Sequence, residues 1–202
     1  MSFEVLAYLG RYQLDLDRRV LNRLAEHGYK IELPPGRSLR STSDDGGIWL
    51  AVCDTPPDIP RIERHSAFQV GFGYAFSART ANDLAFAPRG LRKFEHVVYS
   101  RTSAGASTGA RCLQHLMLAA MAAESSGHCM VDSDEAALTG IAAFERAHGE
   151  IKATHGLLDL NTPRFRGWSA DGGPVDATDI IRPPEMPEFQ SPTLKRKWWQ
   201  FW

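Results

Sequence analysis

The sequence predicts an α+β domain: a mainly antiparallel sheet with two or three helices on one face, followed by an extended, proline-rich C-terminal arm. Three observations predict it. Strand-like segments at 29–33, 47–53, 68–76 and 94–100 follow one another with no helical pattern between them, which favours antiparallel pairing over alternating βαβ units. Helical spacing appears before this run and twice after it. Six of the chain's twelve prolines fall in residues 161–202, a composition that suits neither a helix nor a central strand. The expected division is a domain of residues 1–160 and an arm of 161–202, packed at least partly back on it.

The elements are read in order. FEVLAYL (3–9) is a first strand. DRRVLNRLAEHG brings Leu16, Val20, Leu21 and Leu24 to one side of a helix, with Asp17 as N-cap and Gly28 as a left-handed stop. YKIEL (29–33) is a strand halted by Pro34-Pro35-Gly36, and GIWLAVC (47–53) is another, ended by TPPDIP. FQVGFGYAF (68–76) puts Phe68, Val70, Phe72, Tyr74 and Phe76 on one face and Gln69, two glycines and Ala75 on the other. FEHVVYS (94–100) follows. TGARCLQHLMLAAMAAESSG is the strongest helix, with Leu113, Leu116, Met117, Ala120 and Met121 as its stripe, Thr108 capping the start and Gly127 the end. HCMVD (128–132) is a short strand, Glu135–His148 a helix with an interruption at Gly140, and GLLDL (156–160) a last short strand.

Composition narrows the function classes. At 202 residues the chain suits one domain with a sizeable core. A formal net charge of −1 gives no global field toward nucleic acid or an anionic membrane. Cys53, Cys112 and Cys129 are odd in number and lack C-x-x-C spacing, so reduced thiols in the cytoplasm are expected. No basic leader precedes the first strand, and no apolar run is long enough for a membrane span.

The sharpest catalytic pattern is GASTG (105–109), a G-x-S-x-G match in which Ser107 would be the nucleophile, Asp132 or Asp159 the acid partner, and His148 or His155 the base. A nucleophile elbow draws its strain from a strand running directly into the first glycine, whereas Arg101–Ala104 intervene here and no HGGG-like segment supplies a second oxyanion donor. The same loop lacks the endings of a P-loop or a dinucleotide fingerprint. Cys112 and His115 stand three apart on one helix and read as a small core residue and its neighbour. Asp132, Asp134 and Glu135 read as the start of a helix, with Asp134 as cap, rather than as Mg²⁺ ligands. The seven histidines show no zinc spacing, so neither metal nor cofactor is expected. A small serine hydrolase using Ser107 is the alternative to a binding protein.

The chain ends in KRKWWQFW, with three of five tryptophans and a phenylalanine in the last five residues. Rings that each bury roughly 150–250 Å² gain several kcal/mol from leaving water, at about 25 cal/mol/Å². Three places would receive them: a groove on the same domain, a protein partner, or the headgroups of a membrane beside Lys195, Arg196 and Lys197. This ending resembles the C-terminal tails of small cytoplasmic bacterial proteins encoded beside secreted toxins, the presumed immunity proteins. The resemblance implies a non-catalytic protein that binds and neutralises a toxin. Its contacts would be Trp198, Trp199, Phe201 and Trp202, with Asp44, Asp45, Asp54 and Asp58 as an acidic rim that steers a basic partner.

Overall fold

The computed structural model describes residues 2–10, 14–40, 46–132, 136–154, 157–176 and 178–183. In chain order the elements are β1 (Phe3–Leu9), α1 (Leu16–Glu26), β2 (Lys30–Glu32), β3 (Gly47–Asp54), β4 (Phe68–Ala78), α2 (Ala81–Phe86), β5 (His96–Thr102), α3 (Thr108–Glu124), β6 (His128–Val131), β7 (Leu138–Thr139) and α4 (Gly140–Ala153). The strands form one sheet in the order β2-β3-β4-β5-β1-β6-β7, and every neighbouring pair is antiparallel. The expected α+β class holds.

The register sorts the side chains. Val5, Ala7 and Leu9 of β1, Ile48, Leu50 and Val52 of β3, and Phe68, Val70, Phe72 and Tyr74 of β4 share one core with α1, α3 and α4. On the opposite face of β4 the small residues make room: a Cβ at Gly71 would meet the Trp49 ring at 2.7 Å, so the glycine is the seat of that indole. Part of this second face is covered by the segment between β4 and β5, which sequence patterning left unassigned. Leu91 and Phe94 pack there on Tyr8, with Leu6, Val97 and Met130 at their border. Arg79 fastens the segment by donating to the carbonyls of Leu91 (2.8 Å) and Phe94 (3.0 Å) while its guanidinium lies over the Tyr8 ring.

The helices start and stop by different devices from those expected. α1 begins one residue before Asp17, whose carboxylate instead accepts the Leu39 N–H at 3.2 Å. Gly28 ends it as expected, at φ +84°, with the Tyr29 N–H returning to Leu24. α3 is capped by the Ser107 hydroxyl, which accepts from the Ala110 N–H, and not by Thr108. At its end the left-handed residue is Ser126 (φ 55°), while Gly127 serves a close approach: its Cβ would lie 2.0 Å from the Tyr8 carbonyl. Every residue of α3 from Leu113 to Ala122 is buried, so this helix has no solvent stripe. It lies between α1 and α4, on the sheet.

α4 starts at Gly140 with Thr139 as its cap, later than the expected Glu135 start; Asp134 and Glu135 lie outside the described residues. Gly140 is therefore no interruption. A Cβ there would stand 2.2 Å from the Ala122 carbonyl carbon, and its absence lets α4 meet α3 backbone to backbone.

Residues 158–161 form a turn rather than the expected strand. Beyond it the arm folds back on itself, its two halves joined by backbone hydrogen bonds between 161–162 and Ile181. The Asn161 N–H donates to the Ile181 carbonyl and the Ile181 N–H to that of Thr162, and the arm joins the sheet through Gln69 N–H to Pro163 O (2.9 Å) and Phe165 N–H to Ala67 O (2.9 Å). Arg164 bonds Glu63 and Asp179, and Arg166 also bonds Asp179. Residues 184–202, including the aromatic tail, lie outside the described residues. Among the described residues no helix is long and apolar enough to cross a membrane.

Candidate functional site

Polar groups converge on a cleft of about 550 Å³ between the first turns of α3, the last turns of α4 and the start of β1. α3 and α4 meet backbone to backbone at Gly140, and the cleft lies nearer the other end of the pair, where Ala147 and Ala153 are the small residues that α4 contributes to the lining. Gly109 keeps the 157–162 turn close to the beginning of α3, since a Cβ there would fall 2.1 Å from the Leu158 carbonyl oxygen.

The polar lining comes from Thr108, Arg111, Cys112 and His115 of α3 and from Glu150 and Thr154 near the end of α4. His115 is 97% buried by its 3% exposure, and its Nδ1 lies 3.1 Å from Glu150 Oε2. The other Glu150 oxygen accepts from Arg146 Nε at 2.7 Å. Phe3 meets the His115 ring edge-on at 6.5 Å between centroids. Among the described residues Arg111 has no ion pair and no side-chain hydrogen bond.

Cys112 and His115 thus share a cleft with a carboxylate that orients the imidazole, an arrangement that suits nucleophilic catalysis when the thiol ionises readily. It does not here. Burial pushes the Cys112 thiol above its ordinary value, and the Thr154 hydroxyl and the Arg111 charge offset only part of the effect. Burial likewise raises Cys53 to about 11 and Cys129 to about 12. All three cysteines are free thiols.

The residues of the serine-hydrolase reading go to separate duties. Ser107 caps α3. Asp132 closes the end of β6 at φ 50°, exchanging bonds with the Glu4 backbone. His148 bonds the Tyr29 hydroxyl at 3.0 Å and stacks 6.5 Å from Phe144; burial holds its pKa below the usual imidazole value, and the Lys152 charge adds to this. Asp159 is fully buried and accepts the backbone N–H groups of Ile62 (2.7 Å) and Glu63 (2.9 Å). His155 lies outside the described residues. No hydrogen bond or ion pair joins Ser107 to Asp132, His148 or Asp159 among the described residues.

Of the acidic rim, Asp54 and Asp58 are exposed; Asp54 accepts its neighbour's Thr55 N–H, and Asp58 pairs with Lys152 at 3.1 Å. Asp44 and Asp45, like Trp198, Trp199, Phe201 and Trp202, lie outside the described residues. No group of three or more metal-binding side chains occurs among the described residues. Sequence reasoning missed Arg111, Glu150 and Thr154 because nothing in their local spacing links a helix start to a helix end some forty positions away. No family model matches the chain, and neither a curated protein nor a solved structure is significantly similar to it.

Proposed function

We propose that this protein works by binding another protein in the bacterial cytoplasm, and that the partner is a toxin which it neutralises. One observation supports a binding role over a hydrolytic one: Ser107, the nucleophile of the competing reading, accepts the Ala110 N–H as the cap of α3 and has no histidine bonded to it among the described residues. A nucleophilic serine needs a base at hydrogen-bond distance, and the two histidines within the described part of α3 and α4 are bonded to Glu150 and Tyr29 instead. Preorganisation suits recognition. A seven-stranded sheet under a helix buried from Leu113 to Ala122 is a framework that reduces the ordering cost of binding. Asp54, at the exposed end of β3, is an acceptor for a basic partner, and Asp58 in the following loop would exchange its Lys152 pairing for one.

The test is co-purification with the protein encoded beside this one, together with protection of cells that express that neighbour. A stable complex that rescues growth is the expected result. Ser107→Asp provides the second arm, because aspartate keeps the cap while removing the hydroxyl. Rescue that survives this substitution fits binding; rescue that disappears while the fold remains intact returns the serine to a chemical role.

A further inference from the structure

We propose that the α3–α4 cleft binds a small monocarboxylic acid with a compact apolar body. The cleft's volume, about 550 Å³, falls inside the range of roughly 300–1,000 Å³ that holds small organic ligands. Its floor is apolar, formed by Phe3 from β1 and the buried Ala147 from α4, with Ala153 exposed at the rim.

The charges in the lining decide the polarity of the ligand. Glu150 is matched, with one oxygen on Arg146 and the other beside His115. Arg111 is unmatched among the described residues, although it lines the same space and its charge reaches the Cys112 thiol. The cleft therefore has one cation left over beside an apolar floor. A guanidinium left in that position is satisfied best by a carboxylate, through paired N–H donors. Thr108 adds a hydroxyl to the lining, while that of Thr154 already donates to the Glu150 carbonyl at 2.7 Å. Arg111 is exposed, so it stands at the mouth of the cleft, where it would repel a cationic ligand and pair with an anionic one. This inference stands apart from the protein partner, and its readouts do not involve that partner.

The experiment titrates the full chain with benzoate and with hexanoate, using benzylamine as the oppositely charged control. Binding is followed by calorimetry and by two-dimensional NMR of the Thr108–His115 amides. Saturable one-to-one binding of at least one acid, with shifts confined to the cleft, is expected, and benzylamine should not compete. Arg111→Gln should weaken the acid at least about tenfold. Ala153→Trp, at an exposed rim position that tolerates bulk, should abolish binding by covering the cleft. Circular dichroism confirms that both variants fold. The proposal is overturned if neither acid binds by about 10 mM, if benzylamine binds more tightly than the acids, or if folded Arg111→Gln binds them unchanged.

Discussion

Replacing Asp159 by asparagine probes how the 55–66 loop is held, and the structure sets the size of the loss. The carboxylate is fully buried and accepts two backbone N–H bonds, at 2.7 and 2.9 Å. It also stands 3.8 Å from Arg61 Nε, and the Arg61 side chain is itself completely buried. Arg61 has few other supports: its guanidinium donates to the Ser66 carbonyl and lies 4.9 Å from the Phe68 centroid, while Nε and Nη1 make no hydrogen bond. Burial opposes the Arg61 charge, and Asp159 is the main influence that favours it. Asparagine keeps the shape and one acceptor oxygen but abolishes the counter-charge, leaving a buried cation alone. Breaking a buried pair from one side costs about 3–5 kcal/mol. For a domain of this size each kcal/mol moves Tm by roughly 2–4 °C, so a drop of roughly 6–20 °C is expected. Urea denaturation gives the free energy directly. The double variant Arg61→Leu/Asp159→Asn should cost less than the sum of the two single changes, because it removes the stranded charge. A loss below about 1 kcal/mol for Asp159→Asn, with the fold unchanged, would refute the claim that this pair is desolvated and coupled.

Three further outcomes follow from the same structure. Gly140→Ala should destabilise by at least about 2 kcal/mol in chemical denaturation, since the new methyl meets the Ala122 backbone, which cannot rotate away as a side chain would. Ser107→Ala should lower stability by about 1 kcal/mol through loss of the α3 cap, and Ser107→Asp should restore most of it, both read from thermal melts. His148 has a pKa below its unfolded value, so the unfolded chain binds the proton more readily. Its contribution is fully present above the unfolded pKa near 6.5 and is lost as pH falls from there toward the folded value; His148→Gln should flatten the stability–pH curve across that interval.

Much of the fold was legible along the chain. Alternation in FQVGFGYAF named the buried face of β4 residue by residue, and Gly28 marked the end of α1 at the correct position. These signals are local, because backbone geometry alone turns a period of two or 3.6 into a face. The α+β class follows from their order. The arrangement of the elements did not. β1 lies between β5 and β6, pairing Phe3 with Thr102 and Val5 with Val131, and periodicity reports that a face is covered without reporting by what. The apolar stripe of α3 was visible, whereas its burial on every side depends on α1 and α4 arriving from elsewhere in the chain.

The misassigned details share this cause. GLLDL has the composition of a strand, yet Asp159 within it is fixed by the N–H groups of Ile62 and Glu63, nearly a hundred residues upstream. Gly140 looked like a helix breaker and is a helix contact, a distinction that only the position of Ala122 decides. The candidate site is tertiary throughout. Thr108, Arg111 and His115 come from the start of one helix and Glu150 and Thr154 from the end of another, and the two helices meet backbone to backbone at Gly140. The sequence by itself determined which residues leave water; the tertiary structure decided which of them meet, because side-chain partners are chosen by distances that no local repeat encodes.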